Sequence, residues 1–381
     1  MSALCRRALS SSPPGAGKIK TGILMMNMGG PSHPQETEFF LRNLFGDSDI
    51  IDLGGGRVQN LLADVVSKRR SPRIQAQYET IGGSPIRKWT ALQGQNLAVL
   101  MDKLSPSTAP HKAYTAFRYA NPLTKQALEE MKLDGVERAV AFSQFPQWSC
   151  TTAGSSLNDL WKQVKDVGLE GKLKWSIIDR FPTHPIYIQA VVERIEEKMA
   201  EMSNGGEEPP ILLFSAHSVP MKVVEKGDPY TGEVGATVRA VMDVLKAKRP
   251  GQLVPQHVLA WQSKVGYLPW MVPSTGKAIP ALAKQGYKRV LVVPIAFTSD
   301  HIETLFEINI EYREEAEECG IERFELTEGL NGSETFVQAL GDILHTHLQS
   351  KDNHSPQYKT KCLGCDKPQC RGILDAAHNV I

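Results

Sequence analysis

Residues 211–220 read ILLFSAHSVP. The continuous apolar run Ile211–Phe214 is too short for a helix of its own and has the length of a strand buried on both faces. It breaks into polar residues and delivers one histidine, His217, at its carboxyl end. The same form recurs along the chain, and predicts strands over Gly22–Asn27, Ala113–Arg118, Arg138–Ser143, Lys174–Ile178, Ile211–Ser215, Val258–Gln262 and Arg289–Phe297. Between them lie helical patterns such as Ile188–Met202, Thr237–Lys248 and Thr304–Glu318. Buried strands separated by helices predict an α/β fold of parallel sheet with helices on both faces.

Nearly every strand ends in polar or Gly/Pro residues: Asn27-Met28-Gly29-Gly30-Pro31, Phe117-Arg118-Tyr119, Ser143-Gln144, Ser215-Ala216-His217, Gln262-Ser263-Lys264 and Thr298-Ser299-Asp300-His301. Ligands of open α/β sheets bind outside the carboxyl ends of the strands, so these ends are expected to line one cleft. There is also an internal echo. GILMMNMGGP, KAYTAFRYA and RAVAFSQFPQ are answered in order by ILLFSAHSVP, HVLAWQSKV and RVLVVPIAFTSD. The chain therefore reads as a duplicated unit, two similar lobes facing one another.

Composition bounds the function. A length of 381 residues suits two domains, or one large one with a tail. With 22% charged and 41% hydrophobic residues, a disordered polyelectrolyte is excluded. A net charge of +1 gives no global field for nucleic acid. Apolar runs such as Ile211–Phe214 and Val290–Val293 fall far short of the roughly 20 residues of a membrane span, which leaves peripheral contact open. Six cysteines are too sparse for a disulfide scaffold.

The ends are distinct. The first acidic residue is Glu36, preceded by Arg6, Arg7, Lys18, Lys20 and the run Ser10–Ser12. Such an N-terminus suits an organelle import signal, often mitochondrial, with Pro13-Pro14-Gly15 as the joint. Ser350 to Lys361 is a polar linker into a cysteine-bearing extension. The expected organisation is a presequence over 1–17, lobes over 18–190 and 191–349, and an extension over 350–381.

Several residues have chemistry to offer. His217 can bind metal or accept a proton near neutral pH, against the commoner fate of a hydrogen-bonded structural histidine. Asp300 and Glu303 are spaced as a capping box for a helix starting at His301, which leaves His301 itself unexplained. Glu303, Glu307 and Glu311 recur at i, i+4, i+8 and share one helix face, although like charges at that spacing destabilise a helix. The row is either a solvated acidic face or the lining of a wet channel for protons or a divalent cation. Trp261, Tyr267, Trp270 and Met271 offer aromatic surface for a flat ligand, with core packing as the ordinary alternative. The basic run Lys68-Arg69-Arg70-Ser71-Pro72-Arg73 is a solvated face, a carboxylate clamp or a lipid-headgroup contact. Cys362-x2-Cys365-x4-Cys370 suggests a soft metal centre. Zinc needs a fourth ligand such as His354 or His378, while an iron–sulfur cluster usually takes four thiolates, with Cys5, Cys150 or Cys319 as the remaining candidates.

Together LFSAHSVPM, PIAFTSDHIET, LAWQSKVG, NMGGP and RRSPRIQAQYETIGGSPI closely resemble the ferrochelatase family, from Lys20 to Cys370. The cysteine pattern resembles its animal-type branch, whose tail carries a [2Fe–2S] cluster. The resemblance implies two Rossmann-like lobes, a homodimer, and peripheral association with the matrix side of the inner mitochondrial membrane. It implies insertion of Fe²⁺ into protoporphyrin IX, giving protohaem and two protons. It places the cluster on Cys150, Cys362, Cys365 and Cys370. It gives active-site roles to His217, His301, Glu303 and Glu307, and active-site or outer metal-site roles to His184 and Asp342. Arg70, Tyr78 and Ser84 match porphyrin contacts, and Met28, Arg118, Tyr119 and Trp270 match cavity-lining positions. The segment Leu53-Gly54-Gly55-Gly56 departs from the family's more apolar membrane-facing lip.

Metal enters a porphyrin only if the ring bends and two pyrrole protons leave, so a cleft complementary to the bent ring is catalytic. The walls, with Met28 and Trp270, are expected to bend the ring. His217 is expected to take protons, kept neutral by an apolar cavity that lowers its pKa. His301, Glu303 and Glu307 are expected to deliver Fe²⁺, with His217 and Glu303 meeting the metal, or to conduct protons away. The alternatives are a porphyrin or haem carrier without catalysis, a chelatase for another metal, and, more weakly, an iron–sulfur electron carrier.

Overall fold

In a computed structural model of the chain, residues 18–51, 55–203, 208–264, 269–359 and 362–365 are described. The eight strands among them are β1 (Thr21–Asn27), β2 (His111–Phe117), β3 (Arg138–Ser143), β4 (Lys174–Ile178), β5 (Ile211–His217), β6 (His257–Gln262), β7 (Arg289–Pro294) and β8 (Arg323–Leu326). They form two four-stranded sheets, ordered β2-β1-β3-β4 and β6-β5-β7-β8. Every pairing between these strands is parallel. The two orders are the same order repeated, which is the duplication heard in the sequence. β7 ends at Pro294, earlier than expected, and the four-residue edge strand β8 has no apolar run to announce it.

Strand alternation explains the cores. Ile23 and Met25 of β1, with Leu212 and Phe214 of β5, belong to one hydrophobic cluster that spans both lobes. Leu24 and Met26 point to a separate core on the other face of the first sheet, and Ile211 and Leu213 to another on the second. Both sheets are therefore covered on both faces, as all-parallel sheets require. The joint core is built through the helices Ile86–Leu104, Pro185–Met202, Tyr230–Lys248 and Glu334–Gln349. Residue 190 falls inside the helix Pro185–Met202, and the last helix returns to the first lobe, where Gly341 lies against Leu100. Beyond it the Ile177 N–H donates to the Asn353 carbonyl at 2.8 Å, so the linker covers the free edge of β4.

One glycine is required by close approach. Gly83 has φ +93, and a Cβ there would lie 2.2 Å from the Ser32 carbonyl oxygen. That contact, with the Ser84 N–H on the Pro31 carbonyl at 2.7 Å, locks the NMGGP loop after β1 to the start of the helix Ile86–Leu104.

Candidate active site

Both sheets change direction of winding at their central strand, β1 or β5, and ligands of such sheets bind at that point. His217 is the last residue of β5. Its Nδ1 lies 3.0 Å from Glu303 Oε2. A carboxylate only accepts, so the proton of that bond is on Nδ1 and Nε2 is left for chemistry. Gln262, ending β6, donates Nε2–H to the same Glu303 oxygen at 3.2 Å. Ser263 donates to Glu307 Oε2 at 2.7 Å, and the Tyr312 hydroxyl to Glu307 Oε1 at 3.0 Å. Ser263 holds φ 65, an unfavourable conformation for a serine, and so aims its hydroxyl at Glu307.

The acidic row differs from expectation. Glu303–Tyr312 is a π-helix, continued as an α-helix only over Arg313–Glu318. The i→i+5 bonding of this form widens the turn and is found mostly at functional sites. Glu303 and Glu307 stay with the site, whereas Glu311 is exposed. The expected capping box is absent, since no side chain caps this helix. Asp300 instead accepts from Asn331 Nδ2 at 2.6 Å, Thr304 Oγ1 at 3.1 Å and the Gly329 N–H at 3.2 Å. It fastens the loop that carries His301.

His301 is buried, and neither ring nitrogen has a hydrogen-bond partner. Its Nε2 is 3.8 Å from Glu303 Oε2, and the Phe297 ring centroid is 4.0 Å from its own. It lines a pocket between the lobes with Met28, Asn27, Ile86, Gln144 and Phe297. The carboxyl ends of β1 and β3 thus meet the loop after β7, as the shared cleft requires.

The four titratable groups diverge. Burial lowers His217, but the charge of Glu303, its hydrogen bond and the charge of Glu307 outweigh it, so its pKa is raised. The expectation of a depressed His217 is corrected: a carboxylate in contact overrides the apolar surroundings. Burial dominates at His301 and lowers it. Burial also opposes the charge of Glu303, yet His217 and His301 hold that carboxyl well below the usual range. Burial, then repulsion from Glu303, raises Glu307. Neighbouring acids and neighbouring bases pushed apart are what proton-transfer sites are made of.

The other expected residues fall into groups. Tyr78 is buried in the helix Gly56–Thr80, and its hydroxyl is held protonated by burial and by the charge of Glu303, which places it in the field of the site. Ser84 is buried, and its hydroxyl has no partner. Trp270 bridges to Pro220 in the loop after His217, and its buried Nε1 also lacks a partner. His184 Nε2 and Asp342 Oδ2 are 3.0 Å apart and form a pair of their own. Arg70 is exposed, 5.5 Å above the Phe45 ring. Arg118 is tied to Asp47 at 3.0 Å and Asp159 at 3.6 Å, and the Tyr119 hydroxyl to Asp47 at 2.7 Å. Gln262 and Ser263 were legible only as a polar strand end. Gln144 gave the same signal, and its buried Oε1 has no partner in the pocket.

A second centre gathers thiols. Cys150 opens the helical segment after β3, and burial, then Asp228, then Cys362 raise its thiol pKa. The Cys362–Cys365 turn docks beside it, with the Gly364 N–H on the Lys226 carbonyl at 2.9 Å. Among the described residues no three His, Cys, Asp or Glu side chains close on one point as metal ligands. The two thiols that meet at this corner, Cys150 and Cys362, are soft donors of the type that holds an iron–sulfur or zinc centre. Cys370 lies outside the described residues, as do Cys5, Leu53, Gly54, Tyr267, His378 and 1–17. Cys319 is exposed at the end of the helix Arg313–Glu318.

A two-lobed parallel α/β protein whose second sheet carries a buried imidazole–carboxylate group beyond its strand ends belongs to the class of enzymes that move protons or hold a divalent metal there. The ferrochelatase family profile matches residues 20–348. The protein named ferrochelatase, mitochondrial, of Bos taurus is 51% identical over 371 residues, covering 96% of this chain and 87% of that one. Its namesake in Gallus gallus is 51% identical over 356 residues, covering 93% and 86%. That of Homo sapiens is 49% identical over 356 residues, covering 93% and 82%. The chain belongs to the ferrochelatase family, and its function is that of the haem-synthesis chelatases: insertion of ferrous iron into protoporphyrin.

Proposed function

We propose that His217, paired with Glu303, takes pyrrole protons from protoporphyrin IX while Fe²⁺ is inserted, and that His301 and Glu307, on the same wall of the cleft, deliver the metal or conduct protons away. The observation that carries this is the 3.0 Å His217–Glu303 contact beside a buried His301 with no hydrogen bond to either ring nitrogen. His217 has a free Nε2 and 37% of its side chain exposed, so it can reach a ligand in the cleft. A proton accepted there is stabilised by Glu303 and passed towards Glu307, the more basic carboxyl. His301 offers a lone pair to Fe²⁺, and Glu303 offers a charge. Arg70, Tyr78 and Ser84 contact the porphyrin, and Met28, Arg118, Tyr119 and Trp270 line the cavity. His184 and Asp342 form an outer station for the metal.

The test is anaerobic loss of protoporphyrin fluorescence with Fe²⁺, run in parallel with Zn²⁺ and Co²⁺. His217→Ala is expected to cut turnover at least about 100-fold while remaining folded. A folded variant with normal turnover removes His217 from this role. Fluorescence changes that track protein concentration without metal would mark a carrier, and insertion of Zn²⁺ or Co²⁺ alone a chelatase for another metal.

We further assign a [2Fe–2S] cluster to Cys150, Cys362, Cys365 and Cys370. When bound, it supplies a cross-link between the tail and the first lobe. Cys150→Ser is expected to abolish its visible absorption, and an unchanged spectrum points to zinc or another fourth ligand. The lobes divide near residue 190, before the extension over 350–381, and 1–17 act as the import signal. The working location is the matrix side of the inner mitochondrial membrane, as a peripheral homodimer. The mitochondrial names of the relatives and the acid-poor N-terminus support the compartment, and the family resemblance supports the dimer. Among the described residues no helix is long and apolar enough to cross a membrane. Val58, Leu61, Leu62 and Val65 form an exposed stripe beside the basic run, which supports contact with a lipid surface.

A further inference from the structure

A chain of short contacts leads from the thiol corner to His217. The tail turn rests on Lys226-Gly227, and Gly227, at φ +87, is so close that a Cβ there would lie 3.1 Å from the Leu363 nitrogen. The next residue is Asp228, buried at 6% exposure. Its Oδ2 accepts the Cys150 N–H at 2.7 Å and the Ser149 hydroxyl at 3.2 Å, and its Oδ1 accepts the Tyr230 N–H at 3.0 Å. Tyr230 is also buried, and its hydroxyl donates to the main-chain carbonyl of His217 at 3.0 Å. Its ring lies 6.0 Å from that of Trp261, one residue before Gln262, which holds Glu303 from the other side.

We propose that Asp228 and Tyr230 are positioning residues that make the docked cysteine tail a support for His217. The proposal rests on the reading of His217 as the proton acceptor. Neither residue touches the reacting atoms. Tyr230 fixes the height of the His217 backbone at the end of β5, and Asp228 joins that tyrosine to Cys150. A centre that transfers no electrons in the net reaction then still bears on turnover, because holding Cys150 and the tail together holds the Lys226–Tyr230 segment between them. The imidazole must meet a pyrrole nitrogen in one orientation, and displacements of about 1 Å at a reacting group can cost on the order of 100-fold in rate.

Two variants test this on the full-length protein. Tyr230→Phe keeps the ring and removes only the donor to His217. It is expected to lower kcat on the order of tenfold, with KM for protoporphyrin and visible spectrum unchanged and the thermal midpoint lowered by only roughly 2 °C. Asp228→Asn weakens the acceptor for Cys150 and Tyr230 together. It is expected to lower kcat as well, and to speed tryptic cleavage after Lys351 in chelator-treated protein, a readout independent of cluster loading. Wild-type kcat in Tyr230→Phe overturns the proposal, and so does a loss that follows the thermal midpoint. Unchanged tail cleavage in Asp228→Asn overturns the link to the thiol corner. If the wild-type protein itself fails to metallate protoporphyrin, the functional reading has failed instead.

Discussion

His217 is under two opposing pressures. Burial disfavours its charged form, while Glu303 at 3.0 Å and Glu307 beyond favour it, and the carboxylates prevail. Its folded pKa therefore lies above the ordinary 6.5. The sign of the consequence differs for stability and activity. The stabilisation from the ion pair is complete below 6.5 and is lost as pH rises through the raised value. A proton acceptor needs the neutral ring, so activity rises over that same interval. The kcat/KM profile is expected to show an acidic limb above pH 6.5 that moves to lower pH in Glu303→Gln, where only the charge of Glu307 still opposes burial. An unmoved limb would detach it from this pair. Sequence reading named His217, His301, Glu303 and Glu307 as candidates, but it gave His217 the wrong direction of shift. Position 303 is far along the chain from 217, and nothing local says that its carboxylate arrives within hydrogen-bond distance.

At the scale of elements, apolar runs announced seven of the eight described strands, because strands buried on both faces cannot hide among polar residues. β8 went unread because it is four residues long and carries Arg323 and Glu325 at the sheet edge. The π-helix also went unread, since period arguments separate helix from strand but not one helix type from another. The helix Gly56–Thr80 carries the clearest unpartnered feature. Its residues Val58, Leu61 and Val65 are 54%, 65% and 57% exposed and follow helical spacing. The double variant Leu61→Glu, Val65→Glu is expected to lose flotation with anionic vesicles while keeping turnover of detergent-dispersed porphyrin. Equal flotation of both proteins would remove this face as the lipid contact.

On the scale of the whole molecule, the lobes are joined by more than the porphyrin cleft. Gln93 of the first lobe donates to the Thr298 carbonyl at 3.2 Å and the Asn331 carbonyl at 2.8 Å, on either side of the His301 loop. Gln147 donates to Thr237 at 3.0 Å and to the Ile295 carbonyl at 3.2 Å. With a hydrophobic cluster common to both sheets, urea unfolding is expected to give one transition by both fluorescence and circular dichroism. Gln93→Ala leaves one buried and one half-buried carbonyl without this donor, and is expected to cost about 1–3 kcal/mol by the shift of that midpoint. Two separated transitions would mean that the shared core does not couple the lobes.

The amino-acid order alone determined the parallel α/β class, the duplicated lobe and the candidate residues at the strand ends, because apolar runs and strand-end polarity are local properties of the chain. Tertiary structure decided how those residues are charged and what supports them: His217 against Glu303, Asp228 against Cys150, Gln93 across the lobes. Such couplings depend on distances between groups that are remote in sequence, and in a buried site those distances, rather than residue type, set the balance between desolvation and Coulomb attraction.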